Sequence, residues 1–184
     1  MNRTSVKYFF VACMALIIGS LPVASYAATA GEIDASVNAS LERFVSQVKG
    51  AQEFLDAAKG VLIIPKVIQG GLVVGAEYGE GALRIDGKSV AYYNIASASF
   101  GAQIGGETKD IILVFMDKTA LKKFRNSKNW KAGVDAKVTL INIGVDESIN
   151  TMKIKQPVVG FVFGQKGLMV GATIEGSKFT KMKK

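Results

Sequence analysis

Six cations fall within fourteen residues of this chain: Lys118, Lys122, Lys123, Arg125, Lys128 and Lys131. Asp117 is the only acid beside them. On a helix Lys118, Lys122 and Arg125 recur at steps of four and three and share one face, with Lys123 alongside, while Leu121 and Phe124 turn inward. The chemistry open to such a face is attraction of anions. Trp130 lies in the same stretch, and an indole among cations suits the headgroup boundary of a bilayer. Each lysine or arginine near an anionic leaflet contributes about 1 kcal/mol, so four contacts give a salt-sensitive attachment. A solvated helix face with the tryptophan in the core fits the same residues. A second basic group, Lys178, Lys181, Lys183 and Lys184, ends the chain, either as part of that surface or as a solvated, frayed tail.

The charge is unevenly placed. Residues 60–184 hold eighteen Lys and Arg against ten Asp and Glu, the whole of the net +8. Residues 32–59 run the other way, with Glu32, Asp34, Glu42, Glu53 and Asp56 against Arg43, Lys49 and Lys59. A pI near 9.5 raises nucleic acid as a partner, but no element here reads bases and no nucleic-acid module is recognisable.

Covalent chemistry is narrowly bounded. The chain has no histidine and a single cysteine, Cys13, which excludes Ser-His-Asp and Cys-His sites and His- or Cys-ligated zinc or copper. Carboxylate pairs of the glycosidase kind survive that filter, but they need a deep cleft furnished with aromatics, and Trp130 is the only tryptophan. We therefore expect no catalytic residue, no metal and no cofactor. Glu77, Glu80 and Asp86 lack the alternation of a calcium loop and read as solvated turn acids. Gly164-Gln165-Lys166-Gly167 and the glycine-rich 101–106 lack Walker or Rossmann spacing and read as turns.

The N-terminus orders its residues as a secretory signal does. Arg3 and Lys7 precede an apolar run over 9–21, and Ser25-Tyr26-Ala27 supplies small residues for cleavage. Removal of 1–27 leaves 157 residues, enough to bury a core without disulfides and matching one domain over 28–184. Cleavage after Ala30 is the other acceptable position. The expected address is the periplasm or cell envelope of a bacterium. Cys13 sits inside the apolar run with almost nothing hydrophobic upstream, a poor fit to a lipid-modified cysteine.

The elements that must position the cations follow from periodicity. Ile33, Val37, Leu41, Phe44, Val45 and Val48 recur at helical steps, and Ala51, Phe54, Leu55 and Ala58 resume beyond Gly50, giving a helix broken there and capped at Gly60. Strands follow: 61–64 ending at Pro65, 72–78, 83–85 with an Asp86-Gly87 turn, 89–99, and a central strand at 111–116. Asp117 caps a short helix through Arg125. Residues 134–143 alternate as a strand with Val134, Ala136, Val138 and Leu140 inward, and short strands are expected at 151–155, 158–163 and 168–174. Tyr92 and Tyr93 point to opposite faces of their strand, and Phe161 and Phe163 share one. The fold class is α+β, a strongly bent, mostly antiparallel sheet approaching a barrel or sandwich, with an N-terminal helix pair over 28–59. The paired runs Gly71-Leu72-Val73-Val74-Gly75-Ala76 and Gly167-Leu168-Met169-Val170-Gly171-Ala172 read as its curved strands.

Several ordered blocks carry a resemblance. Ala58-Lys59-Gly60-Val61-Leu62-Ile63-Ile64-Pro65, Gly79-Glu80-Gly81-Ala82, Tyr92-Tyr93, Ser99-Phe100-Gly101-Ala102-Gln103, Phe124-Arg125-Asn126 and Gly160-Phe161-Val162-Phe163-Gly164-Gln165-Lys166-Gly167-Leu168-Met169 together resemble the SYLF domain family over roughly 41–180. The resemblance implies binding of anionic phospholipid, phosphoinositide in eukaryotic relatives, and no catalysis. The amphipathic helix credited with lipid binding in those relatives is basic, whereas 32–59 here is acidic, so that role does not transfer. Actin, a partner of fungal members, is set aside for an exported bacterial chain. Two readings stand beside surface docking: a carrier holding an apolar ligand within the sheet, and a structural envelope protein.

Overall fold

A computed structural model of the chain describes residues 28–71, 74–100, 105–143, 156–166 and 174–184. The signal-like segment, the second glycine-bounded run and the strand expected at 151–155 lie outside the described residues, as does 168–174 except for Ile174.

Three helices and eight strands make up the described chain. Helix α1 (Ala30–Gln47) begins at a capping box in which the Glu32 amide donates to Thr29 Oγ1 and the Thr29 amide to Glu32 Oε2, at 3.3 and 2.7 Å. The bond from the Thr29 backbone, then that from its hydroxyl, holds the Glu32 carboxyl below the usual range. Helix α2 (Ala51–Ala57) restarts after Gly50, whose φ of 82° breaks the run as the glycine predicts. The helix stops at Ala57, and Gly60 opens the first strand and caps nothing.

Strands β1 (Gly60–Gly71), β2 (Val74–Ile85) and β3 (Lys88–Phe100) are long antiparallel neighbours in chain order, and β4 (Gly105–Phe115) crosses back to pair antiparallel with the other edge of β1. Asp86 and Gly87, at φ of 51° and 74°, form the two-residue turn between β2 and β3 that their identity calls for. Helix α3 (Lys118–Asn126), β5 (Asn129–Lys131), β6 (Thr139–Asn142), β7 (Val158–Lys166) and β8 (Lys178–Met182) complete one sheet of order β5-β8-β3-β2-β1-β4-β7-β6. Only β6 and β7 pair in parallel.

Connectivity enforces the bend. Laid flat, the two edge strands would stand about 34 Å apart at ordinary strand spacing. The chain passes from Lys131 on one edge to Thr139 on the other, a reach of at most about 28 Å even fully extended. It also folds back on the way, through a Gly133 turn and an Ala132–Ala136 bridge. The sheet therefore curls into a half-barrel. That passage explains why only 139–142 of the alternating 134–143 segment is strand. Val134 is exposed, and Ala136, Val138 and Leu140 pack half-buried on the core with no ladder over 134–138.

Two further expectations are corrected. Proline at 65 does not end an edge strand, because β1 runs on between β2 and β4 and spends Pro65 and Lys66 in a bulge opposite Asp110. The bulge brings β1 so close to β2 that a Cβ on Gly81 would stand 1.9 Å from the Ile63 carbonyl oxygen. The strands expected separately at 72–78 and 83–85 are one strand, β2, which opens at Val74 with Gly75 paired to Gly71; Leu72 and Val73 lie outside the described residues.

Each face of the sheet has its own core. On one, Ile33, Val37, Phe44 and Phe54 of α1 and α2 meet Ile63, Ile112, Phe161 and Phe163. Phe44 sits edge-on to Phe161 at 4.9 Å, and burial of one such ring contributes about 1.5–3 kcal/mol. On the other, Leu62, Ile64, Tyr93, Leu113, Phe115 and Phe179 are covered by Leu121 and Phe124 of α3 and by Trp130. The tyrosine pair divides as expected: Tyr93 is buried, while Tyr92 faces the helical layer and donates to Asp34 at 2.9 Å.

Candidate functional site

Helix α3 is short and anchored at both ends. Asp117 Oδ1 accepts from the Ala120 amide at 2.9 Å, and the Ser127 amide closes the far end on the Lys123 and Phe124 carbonyls. Lys123 and Arg125 in the last turn oppose the negative end of the helix dipole. With Leu121 and Phe124 buried, the exposed cations are held at fixed angles above a packed aromatic floor of Phe124, Tyr93, Phe115 and Trp130.

The terminal lysines bring one member, Lys181, to the same surface. They lie on and just beyond β8, an internal strand of the sheet, so the frayed-tail reading of this group is wrong. Pairing of Lys181 with Tyr93 carries its side chain to the α3 face, where Lys118, Lys122, Arg125 and Lys181 line a groove of about 540 Å³ with Leu121 and Asn126. Among the described residues no carboxylate lines it. Beneath it the Tyr93 hydroxyl is buried with no partner among the described residues; burial pushes its phenol up, an effect that Arg125 partly offsets.

Other candidates fall elsewhere. Trp130 is only 2 % exposed and stacks edge-on with Phe124 and Phe179, so its indole is core and not an interfacial anchor. Lys131 and Lys178 pair across β5 and β8 and, by strand alternation, point away from the groove. Lys184 donates to Glu80 and to the Ala28 carbonyl, which ties the chain end to the start of α1. Lys123, Lys128 and Lys183 are exposed without lining the groove.

The acids set aside in turns have separate tasks. Glu77 is not solvated: it is buried and takes the buried Lys109 ammonium at 3.2 Å together with the Ser97 hydroxyl. Glu80 accepts from Tyr78 and Lys184, and Asp86 forms the hairpin turn.

Sequence reasoning missed a second constellation, around Asp110. This buried carboxylate accepts from Ser40 Oγ at 2.9 Å, from Nε and Nη2 of Arg43, and through Oδ1 from the Lys66 amide at 2.8 Å. Ser40 occupies the apolar stripe of α1, where Val45 was expected to contribute and is instead exposed. The available signals were a serine in a helical stripe and an acid entering a central strand.

Residues 96–184 match the family model Ysc84, described as Las17-binding protein actin regulator. The matched segment runs from the second half of β3 to the chain end and contains the whole α3–β8 groove. No curated protein matches the chain. Residues 96–184 of this chain thus belong to the Ysc84, or SYLF, domain family.

Proposed function

We propose that this chain is a non-enzymatic lipid-binding protein of the bacterial cell envelope that docks on anionic phospholipid, of the phosphoinositide type in charge, through the α3–β8 groove. One observation carries the reading: Lys118, Lys122, Arg125 and Lys181, from elements more than fifty residues apart, converge on one exposed groove whose described lining holds no acid. Cations so placed give their attraction to an external anion and not to a neighbour, at about 1 kcal/mol each near an anionic leaflet. The carrier reading has less support, since Tyr93, Phe124, Trp130 and Phe179 fill the α3 face of the sheet over these elements. Export by the 1–27 signal belongs to the same proposal, and cleavage after Ala27 leaves the Thr29 cap of α1 in place whereas cleavage after Ala30 removes it.

Cosedimentation with vesicles tests it. The protein should sediment with phosphatidylglycerol-containing vesicles and not with pure phosphatidylcholine, and binding should weaken as salt shortens the screening length. Lys122→Glu with Arg125→Glu and Lys181→Glu should abolish it. Unchanged sedimentation of that folded variant would refute the groove.

A further inference from the structure

On the opposite face of the sheet, beside Asp110, lies a larger cleft of about 820 Å³ between the end of α1 and strands β1, β4 and β7. Its construction is unusual for a mere seam between helix and sheet. Strand β1 bulges at Pro65 and Lys66, and β7 bulges at Gly164 and Gln165, so both neighbours of β4 carry an extra residue at the level of Lys109 and Asp110. Lys66 is held at φ 49°, a left-handed conformation that costs a non-glycine residue about 1–2 kcal/mol. Bulges re-aim side chains, and these two place Lys66 and Lys166 on the cleft, both exposed.

Charge and polarity then define what fits. Among the described residues Asp110 is the only acid lining the cleft, and Arg43, Ser40 and the Lys66 amide already occupy it. The Arg43–Asp110 pair is neutral, so among the described lining residues Lys66 and Lys166 add two positive charges with no carboxylate paired to them, with Gln47 and Thr108 between the strands and helix as hydrogen-bonding groups. Next to them is an apolar strip that α1 leaves bare: Ile68, 61 % exposed, and its cross-strand partner Tyr78, 48 % exposed. Cations at one end and exposed apolar surface at the other match a ligand with an acid head and a hydrocarbon body, and the size is that of a small-molecule site.

We propose that this cleft binds one acidic amphiphile, its carboxylate or phosphate head between Lys66 and Lys166 and its chain along Ile68 and Tyr78. The site is independent of the α3–β8 groove, which opens on the other face and meets lipid as a surface. Its test is therefore separate. Titration calorimetry of the purified protein with dodecyl phosphate below its micelle concentration should show one saturable site. Lys66→Gln with Lys166→Gln should weaken it by about tenfold or more, and Ile68→Ser should weaken it by a smaller factor. The Lys122→Glu, Arg125→Glu, Lys181→Glu variant should bind as the parent does. Inorganic phosphate should bind at least about tenfold more weakly than dodecyl phosphate, since it lacks the apolar contact. Because all three substituted side chains are exposed, thermal melting should stay at the parent value. Equal binding by the double-lysine variant would overturn the site, and equal affinity for inorganic phosphate would overturn the amphiphile. Loss of binding in the α3–β8 variant alone would move the ligand to the groove.

Discussion

The two basic concavities of this molecule use the same residue types in opposite ways. In the α3–β8 groove four cations stand over an aromatic core and no described acid lines the space, while the fold beneath is held by Leu121, Phe124 and Trp130. In the α1-side cleft the charges are structural first: Arg43 is committed to Asp110, which also receives Ser40 and the Lys66 amide, and that knot fastens α1 to the sheet. A basic cluster is thus informative only once its acids are located. The groove's charge can be changed without touching the fold, whereas the cleft's centre cannot.

Substitutions can break that contrast. The largest effect is expected for Asp110→Ala, which strands Ser40 and the Lys66 amide around an emptied acceptor and frees Arg43, 35 % exposed, to solvent; each buried group left unsatisfied costs about 1–3 kcal/mol, readable by urea denaturation. Gly81→Ala should follow, at about 1–3 kcal/mol or more, because its Cβ meets the Ile63 carbonyl at the β1 bulge that builds the cleft. Tyr93→Phe, under the groove, should go the other way. Its hydroxyl is buried with no partner among the described residues, so deletion should leave stability unchanged or raise it by up to about 1 kcal/mol. The same variant sharpens a pH dependence. Burial raises the Tyr93 phenol above its ordinary value near 10, so the unfolded chain loses that proton first. Its contribution is whole below pH 10 and declines as pH rises through the folded value, and Tyr93→Phe should remove that part of the alkaline loss in melting temperature. Smallest of all, Lys122→Glu should alter stability by no more than about 0.5 kcal/mol, its side chain being exposed.

What was legible in the sequence was local. Asp117 as a cap, Leu121 and Phe124 as an inward pair, Asp86-Gly87 as a turn and Gly50 as a break each depend on neighbours within a few positions, and each stands as read. The features that escaped depend on pairing between distant segments. Pro65 reads as a stop because a proline removes a ladder donor, but the bulge opposite Asp110 absorbs that loss and lets β1 continue. The lysine-rich end reads as a tail because its charges hide Phe179, whose packing on Trp130 secures β8 beside β5. Trp130 itself is ambiguous in one dimension, an indole among lysines, until the strand turns its ring inward and Lys131 outward. Half of the groove was therefore visible as a helix face, and the cleft around Asp110 was not visible at all.

Lys181 separates a groove assembled by the fold from a basic helix acting alone. Salt titration of binding to phosphatidylglycerol vesicles should show Lys181→Glu weakening attachment about as much as Lys122→Glu, although the two lie 59 positions apart, while Lys178→Glu, turned to the other face of β8, leaves it near the parent value. Wild-type binding with Lys181→Glu, or equal losses for Lys178→Glu and Lys181→Glu, would contradict the groove.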